Sequence, residues 1–275
     1  MKKIIALLMA IAMLVCCAAC GNAKGGNRLE EIKERGYIEV VTEPYFAPFE
    51  FIDSNLPEGE QYVGVDIEIA KYIAEKLGVE LRIVPLEFAA VQSSIVEGKY
   101  DIALSALAYS PTRAEAMGMS NSYYNDDTMG FTFLIREEDY GKYESIESVA
   151  DAVIVTQSGS VQEGIVNDQI KEYKEFKLVS AMTDGYLMVA EGKADACICD
   201  IASAKLYAEA NGGLTVSDFT FEVDPNMTGV CAGVTLGEDE LLEFVNECIA
   251  ELHESGDLAR WYDEYSEYAA TLGVG

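Results

Sequence analysis

Apolar positions recur along this chain in two alternating rhythms. "YIEVVT" at 37–42 and "LRIVP" at 81–85 are short, β-branched and apolar-rich, which predicts buried strands. Between them, "VDIEIAKYIAEKLG" at 65–78 places Ile69, Ile73 and Leu77 on one face of a helix, with Asp66 as its cap and Gly78 as its stop. A short helix follows from Ala89 to Glu97, closed by Gly98, and then a strand at 101–106. Strands alternating with helices predict a mostly parallel sheet covered on both faces.

The unit then recurs. "VEGKYDIALS" at 96–105 and "AEGKADACIC" at 190–199 share E-G-K-x-D and an apolar strand, so each reads as a helix end, a glycine stop, a turn and a strand. A separation of about one small domain points to two similar α/β lobes. "FTFLI" at 131–135 and "AVIVT" at 152–156 add strands, and "SVQE" reads as a capping box formed by Ser160 and Glu163. "GVCAGVTLG" returns as a strand after Pro225. Two acidic amphipathic helices close the chain, the first with Leu241, Val245, Cys248 and Leu252 inward.

One charge sits oddly on this frame. In "ALAYSPTRAEAM" Ser110 is an N-cap and Pro111 the first helical residue, which puts Arg113 in a first turn. A cation is disfavoured there unless an anion is near. Open α/β sheets bind ligands at the carboxyl ends of their strands, and three features fall at such ends. These are Glu43 and the aromatics of "TEPYFAPFEF", Arg113 after 101–106, and Asp200 at the end of the second unit. A cation on one lobe and an anion on the other suit a zwitterion, with Arg113 forking a carboxylate.

Charge and cysteines narrow the classes. There are 48 acidic residues against 19 basic ones, a formal net charge of −29, which repels nucleic acid and anionic headgroups. "MKKIIALLMAIAMLVCCAAC" has a basic start and an apolar run too short to span a bilayer, the build of a secretory signal. It resembles a lipoprotein signal covering 1–19, with Cys20 as the lipidated residue, and residues 20–28 as a tether. Cys17, where that pattern has Leu, is a departure. Cys197, Cys199, Cys231 and Cys248 read as small buried hydrophobes, with a disulfide left open. No spacing suggests a metal site, and none is expected. The sole histidine, His253, lies at a helix end, where it favours the dipole.

"TEPYFAPFEF…YVGVDIEIAKYIAEKLGVELRIVPLEF…IVEGKYDIALSALAYSPTR", followed by "QSGSVQE", "AEGKADACICD" and "SGDLARWYDEY", resembles the extracellular solute-binding proteins of polar amino acid ABC transporters, from about residue 36 onward. The resemblance implies a two-lobed, type II periplasmic-binding-protein fold with two hinge crossings. Lobe one would comprise 29–129 and 226–275, and lobe two 130–225. It implies that Arg113 binds the α-carboxylate of the ligand and Asp200 its α-ammonium, that Phe46 and Phe88 flank its side chain, and that Glu43 reads its distal polar group. Backbone contacts fall to Ala106, Ala108, Gly159 and Ser160. Ala108 and Val161 replace hydroxyl residues of several members, which costs the site two side-chain contacts.

The expected function is capture of an amino acid, polar or basic, and its delivery to an ABC permease by a lipid-anchored monomer. No cofactor and no covalent chemistry are expected. The alternative is a dehydratase-like enzyme on the same fold, with Glu43 as general acid. A third class, a sensory ectodomain, lacks a second span or a signalling domain in this sequence.

Overall fold

The computed structural model describes residues 27–125, 130–224 and 229–274. Cys20 and the signal lie outside these residues, and the two expected crossings, at 129–130 and 225–226, fall on or beside undescribed stretches.

The chain runs α1 (Arg28–Arg35), β1 (Tyr37–Thr42), a hairpin of β2 (Phe51–Ile52) and β3 (Tyr62–Val63), α2 (Val65–Leu77), β4 (Glu80–Pro85), α3 (Phe88–Val96), β5 (Ile102–Ala108), α4 (Pro111–Ala116) and β6 (Met117–Tyr124). It continues with β7 (Phe131–Arg136), β8 (Val153–Gln157), α5 (Val161–Gln169), β9 (Glu175–Val179), α6 (Met182–Ala190), β10 (Ala196–Asp200), α7 (Ile201–Asn211) and β11 (Leu214–Val216). The last elements are β12 (Val230–Thr235), α8 (Asp239–Ser255) and α9 (Asp257–Leu272).

Two five-stranded sheets result, ordered β4-β1-β5-β12-β6 and β9-β8-β10-β7-β11. The orders match position by position, so the two lobes are copies of one plan. Each sheet has four strands running one way and one reversed. In the first, β1 runs parallel to β4 and β5, whereas β12 runs antiparallel to β5 and β6. In the second, β8 is parallel to β9 and β10, and β7 antiparallel to β10 and β11. The βαβ units set the parallel pairs, and the strands that enter each sheet without such a crossover, β12 and β7, run the other way.

The E-G-K-x-D repeat has a structural cause. α3 and α6 each end at glutamate and then a left-handed glycine, Gly98 with φ 68° and Gly192 with φ 71°. The aspartate then accepts a backbone N–H of the neighbouring strand: Asp101 from Glu39 at 2.7 Å, Asp195 from Val153 at 2.8 Å. Each aspartate locks the register of the strand it precedes, which makes β5 and β10 the middle strands of their sheets.

Ile38, Ile69, Ile73, Ile102 and Leu104 share one core with Leu241, Val245, Cys248 and Leu252 of α8, as the helical spacing predicts. Phe133, Ile154, Ile165 and Ile198 form a core of the second lobe. All four cysteines past the tether are free and buried, in keeping with their reading as hydrophobes. His253 sits in the last turn of α8, its Nε2 3.1 Å from the Ser122 carbonyl.

Two caps differ from expectation. Gly64, not Asp66, is the N-cap of α2. Asp66 is fully buried in the first turn and takes the Ala106 N–H at 2.8 Å. In "SVQE", Ser160 Oγ accepts from the Glu163 N–H at 3.2 Å, but the Glu163 carboxylate reaches one residue further back, to the Gly159 N–H at 2.7 Å. The left-handed backbone of Gly159, φ 76°, turns that N–H toward the helix and leaves its carbonyl facing the other lobe.

Candidate functional site

The carboxyl ends of β1, β5, β8 and β10 converge on one cleft between the sheets, the place the α/β rule predicts. It encloses about 730 Å³ with its open solvent mouth included. Glu43, Phe46, Phe88, Ala106, Ala108, Arg113, Ser160, Val161 and Asp200 all line it. Gly159 stands just behind, in the adjoining groove.

Arg113 is held as Ser110 and Pro111 dictate. Ser110 Oγ caps the turn by accepting the Arg113 N–H at 3.2 Å. The side chain is only 7% exposed, and its guanidinium spans both lobes. Nε donates to Gln92 Oε1 at 2.9 Å, Nη1 to the Ala108 carbonyl at 2.6 Å, and Nη2 to the Gly159 carbonyl at 3.0 Å. Three of its five N–H groups are thus used, which leaves one on each terminal nitrogen, the fork that fits a carboxylate. No carboxylate among the described residues pairs with it, and burial lowers its pKa to about 10. Gln92 also donates to the Gly159 carbonyl, at 3.0 Å, so two lobe-one side chains converge on one lobe-two oxygen. A Cβ at Gly159 would stand 3.3 Å from the Ala89 Cβ, so glycine permits this approach.

Facing Arg113 across the cleft is the N-terminus of α5. Its Val161 and Gln162 N–H groups are the first two of the helix, which have no intrahelical acceptor. Their dipole favours an anion at the same place. The Gly159 N–H is already taken by Glu163, and the Ala106 N–H by Asp66, so neither is open to a ligand.

Asp200 closes β10 and caps α7: its Oδ1 accepts the Ser203 N–H at 3.0 Å. It lines the cleft as well, so capping and cleft exposure coexist. Phe46 stacks on Phe49 with centroids 6.2 Å apart, and Tyr124 on Tyr262 at 4.0 Å. Phe88 lies under the Arg113 guanidinium, 5.5 Å from its carbon. Together they give the cleft flat apolar walls suited to a planar group.

The deepest part of the cleft is acidic. Glu43 is 2% exposed, and its Oε1 has no hydrogen-bond partner. Burial is the main cause that raises its pKa to about 8; the Gln157 amide offsets this in part and the Asp184 charge adds to it. Glu50, 1% exposed, lines the same cavity, and burial pushes its pKa well up, with Asp66 and Glu43 adding to the rise. Ser105 joins the two, accepting the Glu43 N–H at 2.9 Å and donating to Glu50 Oε1 at 3.1 Å. Behind them, Ala106 holds a left-handed φ of 44°, a strain on the order of 1–2 kcal/mol for a non-glycine residue, pinned by its hydrogen bond to Asp66.

The sequence reading missed Glu50, Ser105, Gln92, Gln157 and Gln162. Glu50 carried a legible signal: an acidic residue between Phe49 and Phe51 has no room for solvent if both rings are buried. No comparable signal marks the glutamines, whose roles come from the closure of one lobe on the other.

Known proteins resemble this chain in sequence and in fold. The profile of the bacterial extracellular solute-binding proteins, family 3, matches residues 38–268. The arginine-binding extracellular protein ArtP of Bacillus subtilis is 25% identical over 265 residues, 94% of this chain and 96% of its own. Cyclohexadienyl dehydratase of Pseudomonas aeruginosa is 26% identical over 202 residues, 74% of this chain and 73% of its own. A crystal structure of the amino acid ABC transporter substrate-binding protein AbpA from Streptococcus pneumoniae, bound to L-arginine, superposes with a TM-score of 0.81 at 30% identity, covering 90% of this chain and 99% of that one. On its profile match, its two-lobed fold and its interlobe cleft, the chain belongs to the bacterial extracellular solute-binding proteins of family 3.

Proposed function

We propose that this protein captures a free amino acid in the interlobe cleft and presents it to an ABC permease. The single observation that carries the reading is Arg113, a buried cation with two open N–H groups and no anion, facing a helix N-terminus. A buried unpaired charge costs several kcal/mol, which an α-carboxylate offsets. Asp200 takes the α-ammonium from the other lobe. The lobes, divided at 129–130 and 225–226, close on the ligand by rotation about the two crossings.

Arginine fits the remaining space best. Its guanidinium lies flat between aromatic walls and meets Glu43 at the cleft floor, where neutralising a buried carboxyl removes a standing cost. Glutamate and aspartate meet like charge there. Similarity to ArtP and to the arginine-bound AbpA structure supports the same choice. A competition titration with arginine, lysine, histidine, glutamine, cystine and glutamate tests it. Arginine should bind most tightly to the wild type, and Glu43→Gln should narrow its lead over glutamine. Glutamate as the best ligand, or an unchanged ranking in Glu43→Gln, contradicts the assignment of the side chain.

The ligand leaves unchanged in this reading. One observation favours an enzyme instead: a carboxyl with a pKa of about 8 is protonated at neutral pH, as a general acid must be, and a dehydratase is among the relatives. Product analysis after prolonged incubation of each bound amino acid separates the two, since turnover would overturn the transport reading.

Cys20 anchors the protein to the membrane through lipid in this account, on the strength of the apolar run and the small residues before it. Among the described residues no helix is long and apolar enough to cross a membrane. Cys20→Ser should therefore shift the protein from the membrane fraction or leave its signal uncut. Unchanged processing and fractionation would remove the anchor from the account.

A further inference from the structure

Glu43 and Glu50 in the cleft and Asp66 behind them are three buried carboxyls, and among the described residues no basic side chain pairs with any of them. Each has one oxygen with no partner: Glu43 Oε1, Glu50 Oε2 and Asp66 Oδ1. Their other contacts are few and specific. Ser105 Oγ donates to Glu50 Oε1, and the Ala106 N–H to Asp66 Oδ2. The Glu50 and Asp66 carboxyls bond to adjacent residues of β5, Ser105 and Ala106, and each charge disfavours the other. Glu50 Oε2 and Asp66 Oδ1 are both buried without a donor, and one proton held between the two carboxyls supplies it. Glu50 is the member that faces the cleft.

We propose that Glu50 is a second specificity residue, kept neutral in the empty cleft by a proton shared with Asp66, and that a cationic ligand side chain displaces this proton and binds between Glu50 and Glu43. This rests on the amino acid reading of the cleft and goes beyond it by assigning the cation's second partner and a proton exchange. The balance is simple: an O–H bond of the carboxyl pair breaks, the proton passes to solvent, and the ligand's positive charge takes its place. A guanidinium does not give up its own proton, so the protein is the source.

Every packed element bears on the pair. β5 presents Ser105, α2 presents Asp66, β6 presents the Tyr123 hydroxyl beside Asp66, β8 presents Gln157 and α6 presents Asp184. Arg113 and Asp200, the remaining charged groups of the cleft, hold the ligand's other end. Burial raises the Asp66 pKa to about 6 and that of Glu50 well above the carboxylate range, in keeping with a retained proton.

Calorimetry of the purified protein with L-arginine at pH 7, in buffers of different ionisation heat, counts the protons released. Citrulline, the neutral isostere with the same α-groups, is the control. Arginine should release about one proton or more and citrulline close to none, and the arginine Kd should tighten toward about tenfold per pH unit between pH 6 and pH 8. In Glu50→Gln, whose amide can donate to Asp66 in place of the proton, arginine release should fall by half or more and its preference over citrulline by about tenfold. Arginine binding with no proton release and a pH-independent Kd overturns the exchange. A wild-type preference in Glu50→Gln overturns the role of Glu50. No heat with arginine at any pH overturns this inference together with the arginine reading, a result distinct from binding without release.

Discussion

Arg113→Ala should abolish measurable amino-acid binding while leaving a folded protein. The guanidinium donates to three acceptors in the cleft or the groove beside it: Gln92 Oε1 and the carbonyls of Ala108 and Gly159. None of these residues is fully buried, so water can replace it at each. Its charge is desolvated and pairs with no carboxylate among the described residues, and removing such a charge takes little from the fold. The ligand loses far more. Truncating one partner of a desolvated charged hydrogen bond costs about 2–5 kcal/mol, roughly 30- to 5,000-fold in Kd. Thermal shift gives the paired readout: an unliganded midpoint close to wild type, and no increase with saturating amino acid, where the wild type at a hundredfold over Kd gains about 2.7 kcal/mol.

Asp200→Asn separates two roles that one side chain fills. Asparagine caps a helix as well as aspartate does, so the hydrogen bond from the Ser203 N–H and the start of α7 survive. What disappears is the negative charge that meets an α-ammonium. A loss of the same order as for Arg113→Ala is expected in affinity, again about 2–5 kcal/mol, with no loss of stability. Wild-type affinity in Asp200→Asn would reduce Asp200 to a cap and leave the ammonium without an assigned partner.

Much of this molecule is written locally in its sequence. The helical period placed the buried face of α8, and the E-G-K-x-D repeat placed the two middle strands, because a glycine stop and a register-setting aspartate are both short-range devices. Arg113 was legible for the same reason: N-cap serine, N1 proline and an arginine in the first turn form a local contradiction that needs an outside anion. Contacts set by the folded backbone rather than by a local period were not legible. Asp66 looked like a helix cap, yet its carboxylate serves a strained backbone on β5, forty residues away. The N–H groups of Gly159 and Ala106, two residues expected to make backbone contacts, go to Glu163 and Asp66 within the protein. Mixed sheet direction escaped for a similar reason. The directions of β7 and β12 depend on how the chain passes between lobes, which no local period records.

The acidic floor shows where burial, rather than residue type, creates the chemistry. Glu43 and Glu50 are ordinary carboxylates in the sequence. Enclosure beside Phe46, Phe49 and Phe51 makes them reluctant to ionise, and only then does a cationic ligand become worth more to the site than a neutral one.

The central claim, that the Arg113 fork and the α5 N-terminus hold an α-carboxylate, is tested most directly by parallel calorimetric titrations of the wild-type protein. One uses the tightest-binding amino acid and the other its decarboxylated amine, which for arginine is agmatine. The account predicts that the amine, which keeps the side chain and loses only the group facing Arg113, binds roughly 30-fold more weakly or worse. An amine that binds as tightly as its amino acid would contradict it.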